Sequence, residues 1–173
     1  MFRTSLRETR LGQLRAVLSI QIPYHVFAVS GSSEAAVLLA IDAISGDLDL
    51  YRFDDGVPAM TNYGETPERV IPVALSVELA KARLAEKALR MKFLRGFYKV
   101  RHAALDCAYT GTIQLPYWVG LYERRDRVKV EVIDACRGAF EGAKIREVVG
   151  ESIYRFASDR AAQPAVEGVP AIR

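Results

Sequence analysis

The chain is 173 residues long, half of it hydrophobic and 26% charged, a balance that excludes a fibre, a collagen or a wholly disordered protein. A chain of this size can bury roughly 68–70% of its unfolded surface, so it needs neither disulfide nor metal to hold a core. The net charge of +3 is the remainder of two opposed stretches. Glu34, Asp42, Asp47, Asp49, Asp54, Asp55, Glu65 and Glu68 face a single base, Arg52, whereas Lys81, Arg83, Lys87, Arg90, Lys92, Arg95, Lys99 and Arg101 face a single acid, Glu86.

In chain order, Ser5 with Glu8 forms a capping box, and Leu11, Leu14 and Val17 follow at helical spacing, which predicts an N-terminal surface helix. Gln21–Val29 is rich in β-branched and aromatic residues and reads as a strand. It is followed by a polar turn at Ser30–Ser33 and a second strand at Ala35–Asp42. Asp42-Ala-Ile-Ser-Gly46 supplies a turn in which the Asp side chain accepts backbone amides and Gly takes a positive φ. A third strand is expected at Asp47–Phe53.

Thr66-Pro67 or Ile71-Pro72 opens a long helix running to about Arg95. Its two apolar faces, Val77/Ala80/Leu84/Ala88/Met91 and Leu75/Leu79/Ala82/Leu89/Phe93, predict a sandwiched position. A strand between Phe97 and Tyr109 ends at Thr110-Gly111, and another covers Gln114–Glu123. After the turn Arg124–Arg127, Val128, Val130 and Val132 alternate with Lys129 and Glu131 up to Asp134. Ile145, Val148, Val149, Ile153 and Phe156 then mark a C-terminal helix, and the tail 161–173, with Pro164, Gly168 and Pro170, is expected to be flexible.

The most informative feature is self-similarity. Ile20-Gln-Ile-Pro-Tyr-His-Val26 returns as Ile113-Gln-Leu-Pro-Tyr-Trp-Val119, and Ile41-Asp-Ala-Ile-Ser-Gly46 returns as Ile133-Asp-Ala-Cys-Arg-Gly138. Pro to Asp is 19 residues in the first copy and 18 in the second. Two ordered blocks at nearly equal spacing indicate a duplication. The expected fold is therefore α+β: internally duplicated αβββ-like halves, about 1–65 and 66–160 of one globular domain, with an antiparallel sheet packed by a long central helix and the C-terminal helix.

Arg3, Arg7, Arg10 and Arg15 interrupt the N-terminal segment, and the longest apolar run, Ala35–Ile41, is seven residues. Neither a secretory leader nor a membrane span is expected, and a cytoplasmic protein with free Cys107 and Cys136 follows. No catalytic motif emerges. His25 takes the slot that Trp118 fills in the second copy, which favours an aromatic packing role over a proton shuttle. His102, Cys107 and Cys136 lack zinc-site spacing, and the acids Asp47, Asp49, Asp54 and Asp55 lack a calcium-loop pattern, so no metal or cofactor is expected. A thiol enzyme using Cys107 or Cys136 with His102 is the remaining catalytic alternative. Arg83, Lys87 and Arg90 share one helical stripe and continue into Arg95, Lys99 and Arg101 among aromatic residues, a pattern suited to nucleic acid or another polyanion. The opposing expectation is that these bases neutralise the acidic stretch, within one chain or across a homodimer.

A strand, a polar turn and a strand ending in Ile-Asp-Ala-x-x-Gly resemble the hairpin of PepSY-type domains, over about 17–53 and 112–140. They are also similar to uncharacterised bacterial proteins with a Pro-Tyr-Trp-Val strand and an Asp-Ala turn. That resemblance implies a small module that binds or regulates. The leading expectation is thus a non-catalytic interaction or ligand-binding module for an unknown protein or small ligand, with a groove between the halves near Tyr24, His25, Tyr117 and Trp118.

Overall fold

Apolar residues recur at every second position from Leu14 through Ala16, Leu18, Ile20, Ile22 and Tyr24 to Val26, and the stretch forms a single long strand. The computed structural model describes residues 12–30, 37–53, 69–94, 106–125 and 127–162. Strand β1 spans Gln13–Ser30, β2 Val37–Asp42, β3 Tyr51–Phe53 and β4 Arg69–Val70; helix α1 spans Val77–Leu94. Strand β5 follows at Asp106–Arg124, β6 at Arg127–Asp134 and β7 at Ala139–Phe140, and helix α2 closes the described chain at Ala143–Ala162.

All seven strands join one sheet of order β3-β2-β1-β5-β6-β7, with β4 added parallel to β1 at Ile20 and Gln21. Its centre is the antiparallel β1–β5 ladder, which runs from Gln13 opposite Glu123 to Ser30 opposite Asp106. Strands this long bend, and two irregularities help: Arg15 is an extra residue on β1, and Thr110 an extra residue on β5. The result is a half-barrel.

The repeated sequence blocks are arranged about the middle of that ladder. Ile20 lies opposite Tyr117, Tyr24 opposite Ile113, and Ile22 opposite Leu115. Each pair is what an offset of 93 residues and a local twofold axis through Ile22/Leu115 require. Outside the ladder, Tyr24 pairs with Asp42 on β2 and Tyr117 with Asp134 on β6. The amides of Ala43 and Ala135 then donate to the carbonyls of Pro23 and Pro116, at 2.8 and 3.0 Å.

The sheet is covered on both faces. On one face Ile22, Tyr24, Leu115, Tyr117 and Val119 pack with Leu48, Tyr51, Ile145 and Val149, the last two from α2. On the other, Phe27, Val29, Leu39 and Ile41 pack with Leu75, just before α1, and with Ala80 and Leu84 on it.

These positions correct the α+β expectation. The fold is mostly antiparallel sheet, and no long helix occupies its centre. Among the described side chains of helix α1, Ala80, Leu84 and Ala88 are buried against one face of the sheet, while Leu79 on the second apolar stripe is 48% exposed, so that part of the helix is not sandwiched. It begins at Val77 with neither proline at its first position. Ser76 caps it, its hydroxyl accepting the Leu79 amide and its carbonyl the Ala80 amide. The proposed N-terminal helix fails from Gln13 onward, where the backbone pairs with β5; Ser5–Leu11 lie outside the described residues. Leu14 and Val17 suit helical spacing, but alternation into an unambiguous strand prevails. Thr110-Gly111 does not end a strand either. It is a bulge inside β5, tied by the Thr110 hydroxyl to the Val26 carbonyl at 3.0 Å, with Gly111 at φ 153°. The third strand shortens to Tyr51–Phe53, and residues 47–50 are irregular. Among the described residues no helix is long and apolar enough to cross a membrane.

Candidate functional site

The two Asp-Ala-x-x-Gly turns form as their residues require. Asp42 is fully buried, and its Oδ1 accepts the amides of Ser45 and Gly46 at 2.8 and 2.9 Å, a longer one from Ile44, and the Ser45 hydroxyl. Its Oδ2 accepts the Leu48 amide at 2.9 Å. Asp134 is equally buried, but only Oδ1 is used, by the amides of Cys136 and Arg137 at 2.7 and 3.0 Å. Asp134 Oδ2 accepts no hydrogen bond of ordinary geometry; Arg137 Nε is 3.9 Å away. Gly46 and Gly138 complete the turns at φ 74° and 66°.

Beyond the turns the halves differ. After the first, residues 47–50 wrap back toward the sheet; after the second, β7 and a short connection lead into α2. Between them opens a cleft of about 250 Å³. Tyr24 and Tyr117 line it together with Leu48, Tyr51, Arg137 and the first turn of α2. The Tyr24 and Tyr117 hydroxyls are 3.0 Å apart, on diagonal positions about the local axis.

Burial dominates the electrostatics. It pushes the hydroxyls of Tyr24, Tyr51 and Tyr117 far above the ordinary phenol range, so all three stay protonated and act as neutral hydrogen-bonding groups. Burial, reinforced by the Asp134 charge and opposed by Arg137, also raises the Glu141 carboxyl at the cleft. The Arg137 guanidinium lies over the Tyr51 ring, 3.4 Å from its centroid.

The four groove candidates therefore divide by strand parity. Tyr24 and Tyr117 reach the cleft, whereas His25 and Trp118, one residue further along each strand, point to the other face. Buried His25 bridges elements there: Nε2 donates to the Leu75 carbonyl at 2.9 Å, and Nδ1 hydrogen-bonds with the Thr112 hydroxyl at 2.7 Å. This ties the segment before α1 to β1 and β5. Trp118 is half-buried between Ser19 and Ile133 in the ladder.

Of the polyanion candidates, Arg83 and Lys87 turn inward onto the irregular segment. Arg83 Nη1 donates to the Ser45 carbonyl and, at 2.9 Å, to Asp47; Lys87 Nζ donates to the Leu48 carbonyl. Burial lowers the Lys87 ammonium, with nearby Lys144 adding to it and Asp42 opposing. Arg90 belongs to α1, and Arg95, Lys99 and Arg101 lie outside the described residues. Asp49 sits 3.7 Å from Lys144; Asp54 and Asp55 lie outside the described residues, among which no three His, Cys, Asp or Glu gather to hold a metal. Cys107 and Cys136 are free and pack on opposite faces of the sheet, and His102 lies outside the described residues. Burial raises the Cys107 thiol, the reverse of what an activated nucleophile needs.

Sequence reasoning did not find Tyr51, Arg137, Glu141 or the start of α2. One signal existed: Arg137 stands where the first copy has Ser45, a change of charge inside an otherwise repeated turn. No family model, curated protein or solved structure matches the chain.

Proposed function

We propose that this protein is a non-catalytic binding module that takes a small ligand in the cleft between its two like halves. The observation that carries the reading is the Tyr24–Tyr117 hydroxyl pair, 3.0 Å apart on the seam of the halves and at the wall of a cleft of about 250 Å³. Apolar walls with a few convergent polar groups are what small-molecule sites consist of. Tyrosines that hold their protons bind; they do not act as general bases at neutral pH. The matched positions of Tyr24/Asp42 and Tyr117/Asp134 support an origin by duplication. A small binding or regulatory module is also what the PepSY-type resemblance implies, and two free thiols suit a cytoplasmic location.

A fragment screen by thermal shift tests the reading, with Ala143→Trp as the blocked control, since Ala143 is an exposed residue at the cleft. At 100 times its Kd a ligand stabilises the native state by about 2.7 kcal/mol, a readily measured rise in Tm. Fragments that raise the Tm of the parent protein but not of A143W support the cleft. Shifts of equal size in both proteins, or none in either, would remove it.

A further inference from the structure

We infer that the cleft is built for a small organic carboxylate carried on a single flat apolar body, an assignment that rests on reading the cleft as a ligand site. The first ground is a proton count. Two phenol hydroxyls bring two protons, and the bond between Tyr24 and Tyr117 uses one. The other has no acceptor among the described residues, although the two tyrosines are only 2% and 1% exposed. A buried donor left unpaired is unfavourable, so the site calls for an acceptor atom from outside.

The second ground is Arg137. Its guanidinium is stacked on Tyr51, which occupies a face of the group and leaves its edge available. Among the described residues it makes no hydrogen bond, and its ion pair there is the long one from Nε to Asp134 Oδ2, 3.9 Å. A planar fork of this kind recognises a carboxylate through two parallel N–H bonds. The third is the first turn of α2, where Ala143, Lys144 and Ile145 line the same cleft and no acidic residue is present. A helix of 20 residues directs free amides and a partial positive charge at whatever sits there.

Three acids oppose this, the first being the fully buried Asp134, whose Oδ2 already pairs with Arg137 at 3.9 Å. Asp49 has a side chain 96% exposed and lies 3.7 Å from Lys144. Glu141 is half-buried; burial and the Asp134 charge raise its carboxyl, while Arg137 and the Gly142 amide act the other way. Against them stand the Tyr24 and Tyr117 hydroxyls, the Arg137 guanidinium, the Lys144 ammonium and the free amides of α2, all of them donors. The apolar walls, Leu48, Leu50 and Ile145 beside the Tyr51 ring, suit one flat ring.

The test uses four single-ring probes on the full chain, by ligand-observed NMR and titration calorimetry: phenylacetate, and as its neutral and cationic counterparts phenylacetamide, benzyl alcohol and benzylamine. Phenylacetate is expected to bind at least tenfold tighter than the other three. Arg137→Gln should weaken it tenfold or more, and Arg137→Lys should not restore it, because an ammonium lacks the fork. The double variant Tyr24→Phe/Tyr117→Phe, which removes both phenol protons, should weaken it several-fold. Far-UV circular dichroism checks that each variant is folded, and either variant alone suffices if the other is not. Equal binding of phenylacetate by the parent and R137Q overturns the assignment. So does a preference for the neutral or cationic probes in a cleft that A143W closes, an outcome that leaves the binding-module reading standing. Binding of no probe, or binding indifferent to A143W, takes away the cleft reading and this assignment together.

Discussion

Asp42 and Asp134 occupy the same step of two like turns, yet their carboxylates are used differently. Asp42 accepts on both oxygens, whereas Asp134 accepts on Oδ1 alone. Replacement by Asn separates them, because an amide keeps one acceptor and turns the other oxygen into a donor. In Asp42→Asn the new NH2 meets either the Leu48 amide or the Ser45 and Gly46 amides, donor against donor. In Asp134→Asn the NH2 takes the Oδ2 position, which accepts no hydrogen bond of ordinary geometry, so that only the long ion pair to Arg137 and the interaction with the Tyr51 hydroxyl are lost. Loss of a hydrogen bond to a charged group together with an orphaned buried amide predicts a loss of about 2–4 kcal/mol for D42N, and about 1 kcal/mol for D134N. Urea denaturation of the two variants measures the difference; equal losses would mean that the second carboxylate has a partner of equal importance. These two aspartates were fully legible in the sequence, since Asp-Ala-x-x-Gly states its own hydrogen bonds. Arg137, Tyr51 and Glu141 were not, because each reaches the cleft from a different element and nothing local in the chain brings them together.

Helix α1 fixes the irregular segment that forms one wall of the cleft. Arg83 holds Ser45 and Asp47, Lys87 holds Leu48, and Gly46 fits beneath. A Cβ at Gly46 would lie 2.8 Å from Arg83 Cδ and 3.0 Å from Leu75 Cδ2, at a φ of 74° that L side chains avoid. Left-handed backbone alone costs about 1–2 kcal/mol, and moving an anchored arginine adds to it, so Gly46→Ala should lose about 2–3 kcal/mol. Some of that is relieved when the arginine is shortened. In a double-mutant cycle, G46A in an Arg83→Ala background should cost about 1 kcal/mol less than in the parent, a coupling of the size expected for residues in contact. Simple additivity would show that Arg83 is not held against the glycine. The same element shows where sequence reading stops. The stripe Ala80/Leu84/Ala88 was legible as a buried face, but Leu79 and Ala82 look equally apolar in sequence and are exposed. Apolar spacing marks faces that can be buried; which are covered depends on the sheet's extent. Thr110-Gly111 illustrates the same limit, since a glycine permits a turn or a bulge alike, and the pairing of Val26 with Gly111, 85 positions on, selected the bulge.

At the scale of the molecule, the two halves share their central structure. The β1–β5 ladder joins them over its whole length, and the core beneath it draws Ile22 and Tyr24 from one half, Leu115 and Tyr117 from the other. Among the described residues of the first half, β1 pairs only with β2, and β2 with three residues of β3, since β4 belongs to the second half. Such a meander exposes one edge of β1 along its full length and loses the far side of its core, and small sheets of that kind are marginal in water. The chain should therefore unfold in one cooperative step. Far-UV circular dichroism and the fluorescence of Trp118, the single tryptophan, which lies in β5 between β1 and β6, should give coincident urea transitions. Made separately, residues 1–65 and 66–173 should each lack a cooperative transition and regain one on mixing, with β1 of one fragment closing on β5 of the other. A sigmoidal transition from residues 1–65 alone would instead show that the first copy carries a complete core, and that the shared ladder joins two independent units.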